Sequence, residues 1–252
     1  MEFCPVCDTK LVGGVCRQCN PVDFQELPYK SWLTWMRSQR AAYHIIGPFS
    51  CDTYYIEGLQ SHNLPFSQWI ISAKRGSKEA ANYLCEKMYD YLQPPNKTPS
   101  QFFNLDDVEI IVPVPNERHV YTDALPCSAP LIADEFAKII RERVRENIRS
   151  YNFILERVGK SNLYRKKSNP VEKYRASLQD YKVTEKMKEH KNPLKNKIIL
   201  LIDDIRTSGI TIGVCASWLL QLGAKQVIMF CAGRTDGASV PYLPSSTKIK
   251  RI

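Results

Sequence analysis

The stretch that most restricts how this chain can fold is residues 198–211, Ile-Ile-Leu-Leu-Ile-Asp-Asp-Ile-Arg-Thr-Ser-Gly-Ile-Thr. Five apolar residues run into two acids, then a short loop of hydroxyl residues and Gly, then an apolar helical pattern. An uninterrupted apolar run is what a strand buried on both faces requires, as in a parallel sheet covered by helices on each side. Asp203 and Asp204 then fall at the C-terminal end of that strand, where open α/β sheets place ligands. The turn Thr207-Ser208-Gly209-Ile210-Thr211 leads into a helix N-terminus, whose backbone N–H groups and neighbouring hydroxyls suit a phosphate dianion.

Two carboxylates beside a phosphate cradle match a ligand with a phosphate and vicinal hydroxyls, that is, a ribose 5-phosphate. A plainer alternative is a strand–turn–helix whose acids merely cap the helix. A response-regulator receiver also carries an acid pair after a strand, but early in its domain, and only 48 residues follow Asp204 here. The segment Ile202–Thr211 resembles the 5-phosphoribosyl-1-pyrophosphate (PRPP) loop of type I phosphoribosyltransferases. That resemblance implies that Asp203 and Asp204 meet the ribose 2- and 3-hydroxyls as the catalytic acids. It also implies that Arg206, Thr207, Ser208, Gly209, Ile210 and Thr211 hold the 5-phosphate.

The N-terminus carries a second signal. Cys4-Pro5-Val6-Cys7 is followed by Cys16-Arg17-Gln18-Cys19, with Gly13 and Gly14 in the intervening turn. Four thiolates in two CxxC pairs are enough to close a tetrahedral structural Zn²⁺ site. Two disulfides or a redox CxxC are the alternatives, and the absence of a legible signal segment argues against both.

A four-Cys knuckle joined to a PRPP loop resembles the ComF/GntX family of phosphoribosyltransferase-like proteins, first named for a role in competence for DNA uptake. Three further stretches resemble that family in the expected order: Ser67–Gly76, which includes Lys74, Ile110–Pro115, and Lys173-Tyr174-Arg175-Ala176 through Tyr181. The resemblance implies a type I phosphoribosyltransferase-like α/β fold, with a mostly parallel sheet flanked by helices and a small N-terminal zinc ribbon. It implies Mg²⁺ bound with PRPP, and a pyrophosphate or hood group drawn from Lys74, Asn116, Glu117, Arg118, Arg165, Lys166, Lys173 and Arg175. The chain also departs from the family pattern. No Arg-Gly-Phe-Asn-Gln block follows Pro115, Lys173 stands where Arg is usual, and Ala176 where Asn is usual. These departures fall at the pyrophosphate and acceptor ends, not at the ribose-phosphate end.

The expected organisation is a knuckle at 1–22, a connecting or hood region at 23–65, and a phosphoribosyltransferase-like domain at 66–252. Helices are expected near 77–93, 129–148 and 213–222, with a short one holding Trp32 and Trp35. Strands are expected at 109–114, 198–202 and 226–232. No apolar run is long enough to span a membrane, and a cytoplasmic location is expected. The oligomeric state is open between monomer and homodimer. Cys51, Cys85, Cys127, Cys215 and Cys231 are scattered in mostly apolar contexts and read as free buried thiols. Of the histidines, only His119 falls near the expected site.

Charge is concentrated between residues 141 and 197, which hold 17 Lys plus Arg against 7 Asp plus Glu, while the whole chain is +9. Three readings are open. The stretch is a solvated helix end and flexible basic loop, a cationic hood over pyrophosphate, or a surface for single-stranded DNA or RNA. In the last, Tyr151, Phe153, Tyr164, Tyr174 and Tyr181 would stack on bases. The corresponding functions are phosphoribosyl transfer to an unidentified acceptor, or a non-catalytic PRPP-sensing or single-stranded nucleic-acid-binding module in DNA uptake (competence) or DNA processing.

Overall fold

A computed structural model describes residues 28–54, 65–93, 103–115, 128–158, 169–189 and 193–235. In chain order these form helix α1 (Tyr29–Ala41), strand β1 (Ile45–Tyr54), helices α2 (Pro65–Lys74) and α3 (Lys78–Leu92), strand β2 (Ile110–Pro113), and helix α4 (Ser128–Arg143). There follow strands β3 (Arg149–Ser150) and β4 (Leu155–Arg157), helix α5 (Pro170–Asp180), strand β5 (Tyr181–Val183) and helix α6 (Glu185–Glu189). Strand β6 (Ile198–Arg206), helix α7 (Ile210–Gln221) and strand β7 (Gln226–Thr235) complete the fold. The knuckle cysteines Cys4, Cys7, Cys16 and Cys19 lie outside the described residues.

Five strands form one sheet in the order β1-β7-β6-β2-β3, and every pairing in it is parallel. The expected α/β architecture with a parallel sheet between helices is therefore present. The apolar runs of β6 and β7 are continuous because both faces are covered. Ile199, Leu201, Val227 and Met229 pack with Trp32 and Met36 of α1, Tyr174 and Leu178 of α5, and Val214 and Leu219 of α7. Leu200, Ile202, Ile228 and Phe230 pack on the other face with Ala73 of α2, Leu84 and Met88 of α3, and Phe136 and Ile140 of α4. Each fully buried side chain of this kind contributes roughly 1.5–3 kcal/mol by leaving water.

Helix starts follow local chemistry. Ser77 Oγ accepts the Ala80 N–H at 3.1 Å to begin α3. Asn169 Oδ1 accepts the Val171 N–H at 2.8 Å ahead of Pro170, which opens α5 without needing an N–H of its own.

Several expectations change. Residues 28–54, part of the segment read as a connecting or hood region, belong to the same core as the rest. Strand β1 pairs with β7 from Ile45↔Val227 to Tyr54↔Thr235. Trp32 is fully buried, its Nε1 donating to Ser217 Oγ at 3.1 Å. Helix α4 stops at Arg143, short of the expected 148, because the Val144 and Arg145 N–H groups both close onto the Ile140 carbonyl, at 2.9 and 2.8 Å. The chain then turns into β3, and Ile148, which prolongs the apolar pattern, is buried from a turn instead. Strand β6 continues past Ile202 to Arg206 because β7 still offers partners, Ile205↔Gly233 and Arg206↔Arg234.

The basic stretch is structured where it is described, with β4 and β5 pairing antiparallel beside α5. Among the described residues, no helix is long and apolar enough to cross a membrane.

Candidate functional site

The crossovers on either side of the sheet centre run in opposite directions. From β2 the chain passes through α4, on one face, to the edge strand β3. From β6 it passes through α7, on the other face, to β7. Strands β2 and β6 are neighbours, so the order reverses between them, and the crevice beyond their C-terminal ends is where such sheets bind ligands. Pro113 stands opposite Ile202, and the Val114 N–H donates to the Ile202 carbonyl at 2.7 Å. The end of β2 is thereby fixed against the two acids that follow Ile202.

Strand alternation sends the acids to opposite faces. Asp204 lies on the face of α2 and α4. Its Oδ2 accepts a hydrogen bond from Ser128 Oγ, the first residue of α4, at 2.5 Å, and lies 3.5 Å from the Lys74 ammonium at the end of α2. Its Oδ1 accepts the Ile205 N–H at 2.6 Å. Asp203 lies on the α7 face, and its Oδ1 accepts the Asp204 N–H at 2.9 Å. Burial and the adjacent Asp204 charge push the Asp203 carboxyl well above its ordinary value, against the weaker pull of Lys74. Burial raises the thiols of Cys215 and Cys231, and the Asp203 charge raises them further. Both are therefore poor nucleophiles and poor metal ligands. Cys51 and Cys85 are also free, Cys85 buried and Cys51 half-buried. Cys127 lies outside the described residues.

The loop after the acids carries the remaining expected contacts. Thr207 is exposed, Ser208 and Thr211 are half-buried, and Gly209 and Ile210 are buried. Gly209 has φ +73°, a left-handed conformation that costs glycine little, and it directly precedes the first turn of α7. The first N–H groups of a helix have no partner within the helix itself, and at the start of α7 the Ile210 N–H donates to Ser208 Oγ at 3.5 Å.

Arg206 does not join this loop. It is 93% buried by surface, and its Nη1 donates to the Pro48 carbonyl at 2.8 Å, so its guanidinium ties β6 to β1. The oxygen it meets belongs to an irregularity in β1, where Gly47 has φ +91° and a Cβ would collide with the Met229 carbonyl oxygen.

Among the tentative pyrophosphate residues, the structure places Lys74 beside the acid pair. Lys173 is half-buried and Arg175 exposed, both on α5, and no ion pair or hydrogen bond joins either to Asp203 or Asp204. Asn116, Glu117, Arg118, Arg165 and Lys166, with His119, lie outside the described residues.

The stacking surface proposed for nucleic acid loses two of its members. Tyr174 is 1% exposed, with its ring 4.7 Å from that of Trp32, and Tyr181 is 5% exposed. A base cannot reach either. Tyr151 and Phe153 are partly buried against the same core, and Phe153 lies 4.7 Å beneath the Lys186 ammonium. Tyr164 lies outside the described residues.

Ser128 is the site residue that the sequence did not disclose. A Ser at a helix start is a recognisable cap signal, but its partner is an acid 76 residues away. Among the described residues, no group of three or more His, Cys, Asp or Glu side chains is arranged to hold a metal ion. No protein-family model matches the chain, and a search of curated proteins found no match.

Proposed function

We propose that this chain binds PRPP at the C-terminal end of β2 and β6 and transfers its ribose 5-phosphate to an acceptor, releasing pyrophosphate. On this reading it carries a type I phosphoribosyltransferase-like domain of the ComF/GntX kind. The observation that carries the proposal is the acid pair Asp203–Asp204 at the switch point, followed at once by Gly209 and the start of α7. That order sets acceptors for two hydroxyls beside donors for a phosphate, which is the outline of a ribose 5-phosphate.

In the reaction the acceptor's lone pair forms a bond to ribose C1. The bond from C1 to the pyrophosphate oxygen breaks, and its electron pair leaves with pyrophosphate. The acceptor's proton passes to solvent. Asp203 and Asp204 accept hydrogen bonds from the ribose hydroxyls and set negative charge near a ribosyl group that becomes cationic, while Thr207–Thr211 anchor the phosphate. Asp203 takes its part as the carboxylate, the form that burial and Asp204 disfavour. Lys74, beside the acids, is the described cation best placed to meet pyrophosphate. Mg²⁺ carried by the ligand's oxygens and water would neutralise the leaving group, and carboxylate oxygens such as those of the acid pair are ligands that ion accepts.

At the N-terminus, the all-thiolate set Cys4, Cys7, Cys16 and Cys19 suits one structural Zn²⁺. Metal analysis of protein purified under reducing conditions should find about one zinc per chain, and none after Cys4→Ser.

A PRPP-sensing module without turnover would use the same ribose-phosphate site. The missing Arg-Gly-Phe-Asn-Gln block after Pro115 favours it. Incubation with PRPP, Mg²⁺ and a panel of nucleobases, amines and single-stranded nucleic acids separates the cases. Acceptor-dependent release of pyrophosphate supports transfer. PRPP binding with no release under any acceptor supports sensing. Absence of PRPP binding overturns both.

A further inference from the structure

The two partners on Asp204 Oδ2 are not equivalent. Ser128 is buried in the first turn of α4, so its hydroxyl cannot leave without moving a helix. Lys74 is the last residue of α2, and its side chain is 42% exposed against 14% for Asp204. Its ammonium sits on a four-carbon stem that can swing into solvent while the helix stays in place. A carboxylate offers about four acceptor positions. On Asp204, Ser128, Lys74 and the Ile205 N–H together occupy most of them. On Asp203, the Asp204 N–H donates to Oδ1 at 2.9 Å, and the carboxyl also meets the side chain of Asp204.

We propose that Lys74 is an exchangeable latch on the ribose site: in the ligand-free protein it holds Asp204 Oδ2, and an incoming ribose hydroxyl must take its place. This rests on the ribose-phosphate reading of the acid pair and adds to it a role for Lys74 before any ligand arrives. Asp204 becomes available when Lys74 lets go, and Ser128 keeps its carboxylate oriented throughout. The displaced ammonium then stands beside the acid pair, where it can meet a second anionic group on the ligand. A ligand carrying only the 5-phosphate therefore has to displace Lys74 without recompense, whereas PRPP offers the ammonium a pyrophosphate in exchange.

The two ligands should consequently respond in opposite directions to one substitution. Lys74→Met keeps the apolar stem and removes the charge. Calorimetry in Mg²⁺ should find ribose 5-phosphate binding Lys74→Met about two- to fivefold more tightly than wild type, the range of a solvent-exposed ion pair. PRPP should bind the same variant about tenfold or more weakly, as expected for a lost charge-assisted contact. Lys74→Arg retains the charge and should leave ribose 5-phosphate affinity near wild type. Ser128→Ala, which loosens Asp204 for every ligand, should weaken both to a similar degree.

Ribose 5-phosphate affinity unchanged or weakened in Lys74→Met, with wild-type binding intact, would overturn the latch and leave the ribose-phosphate site standing. Failure of the wild-type protein to bind either ligand would overturn the site reading and the latch with it.

Discussion

Strands β2 and β6 carry acids at both ends, and the two ends treat them in opposite ways. At the N-terminal end, Glu109 Oε1 accepts from Lys197 Nζ at 2.7 Å and Oε2 accepts from the Ile198 N–H at 3.2 Å. Burial tends to raise the Glu109 carboxyl, but these two donors outweigh it and hold the group below its usual range. At the C-terminal end, Asp203 is raised by burial and by Asp204. One end spends its acid on joining two strands. The other keeps two acids close together against their mutual repulsion, an arrangement that costs stability and is typical of sites with a chemical task. The same pair of strands thus shows a carboxylate that serves the fold, Glu109, and one whose charge the fold disfavours, Asp203.

The contrast breaks most sharply through ligand affinity. Asp204→Asn should weaken PRPP binding by about 10- to 150-fold, the worth of one hydrogen bond to a charged group, while Glu109→Gln should leave it unchanged. Equal losses in the two variants, measured by calorimetry, would erase the distinction between the ends.

Stability should move the other way at Asp203. Because its folded value is raised, the folded state binds more protons than the unfolded chain above the unfolded value of about 3.9, so stability falls as pH rises toward the folded value. Asp203→Asn removes that penalty and should raise the melting temperature at pH 7–8 by roughly 2–4 °C for each kcal/mol relieved. The gain should vanish near pH 4. A lower melting temperature at pH 8 would show that the Asp203 carboxylate is stabilised in place.

The smallest effect is at Glu109, whose folded value is lowered. Its contribution is present above the unfolded value of about 4.3 and is lost as pH falls through the folded one. Lys197 is 44% exposed, so solvent screens the pair, and Glu109→Gln should cost only about 0.5–1 kcal/mol at pH 7 in denaturant melts. A cost that persists unchanged at pH 3 would assign it to packing.

Much of this arrangement was legible in the sequence, and the parts that were not have physical reasons. Strands β6 and β7 announce themselves because burial on both faces demands unbroken apolar runs. Helices α3 and α7 show their period and their stops. Strand β1 stays hidden because it is an edge strand interrupted at Gly47-Pro48, with Ser50 and Asp52 breaking any apolar run. The tyrosines of the basic stretch looked available for stacking because composition cannot separate a buried ring from an exposed one. Tyr174 and Tyr181 are claimed by the core through α1 and α5. At the site, the acid pair and Gly209 are local in sequence and could be read directly. Arg206 shares that segment, yet a tertiary contact with Pro48 draws it inward. The convergence of Lys74, Ser128 and Asp204 brings together residues from α2, α4 and β6, and no local pattern encodes it.

The most direct test is calorimetric titration of PRPP, with Mg²⁺, into wild-type protein and the Asp203→Asn/Asp204→Asn double variant at pH 7.5. The account predicts binding by the wild type. It predicts at least a hundredfold weaker binding by the double variant, which should remain folded and melt no lower than wild type. Equal PRPP affinity in the two proteins would contradict it.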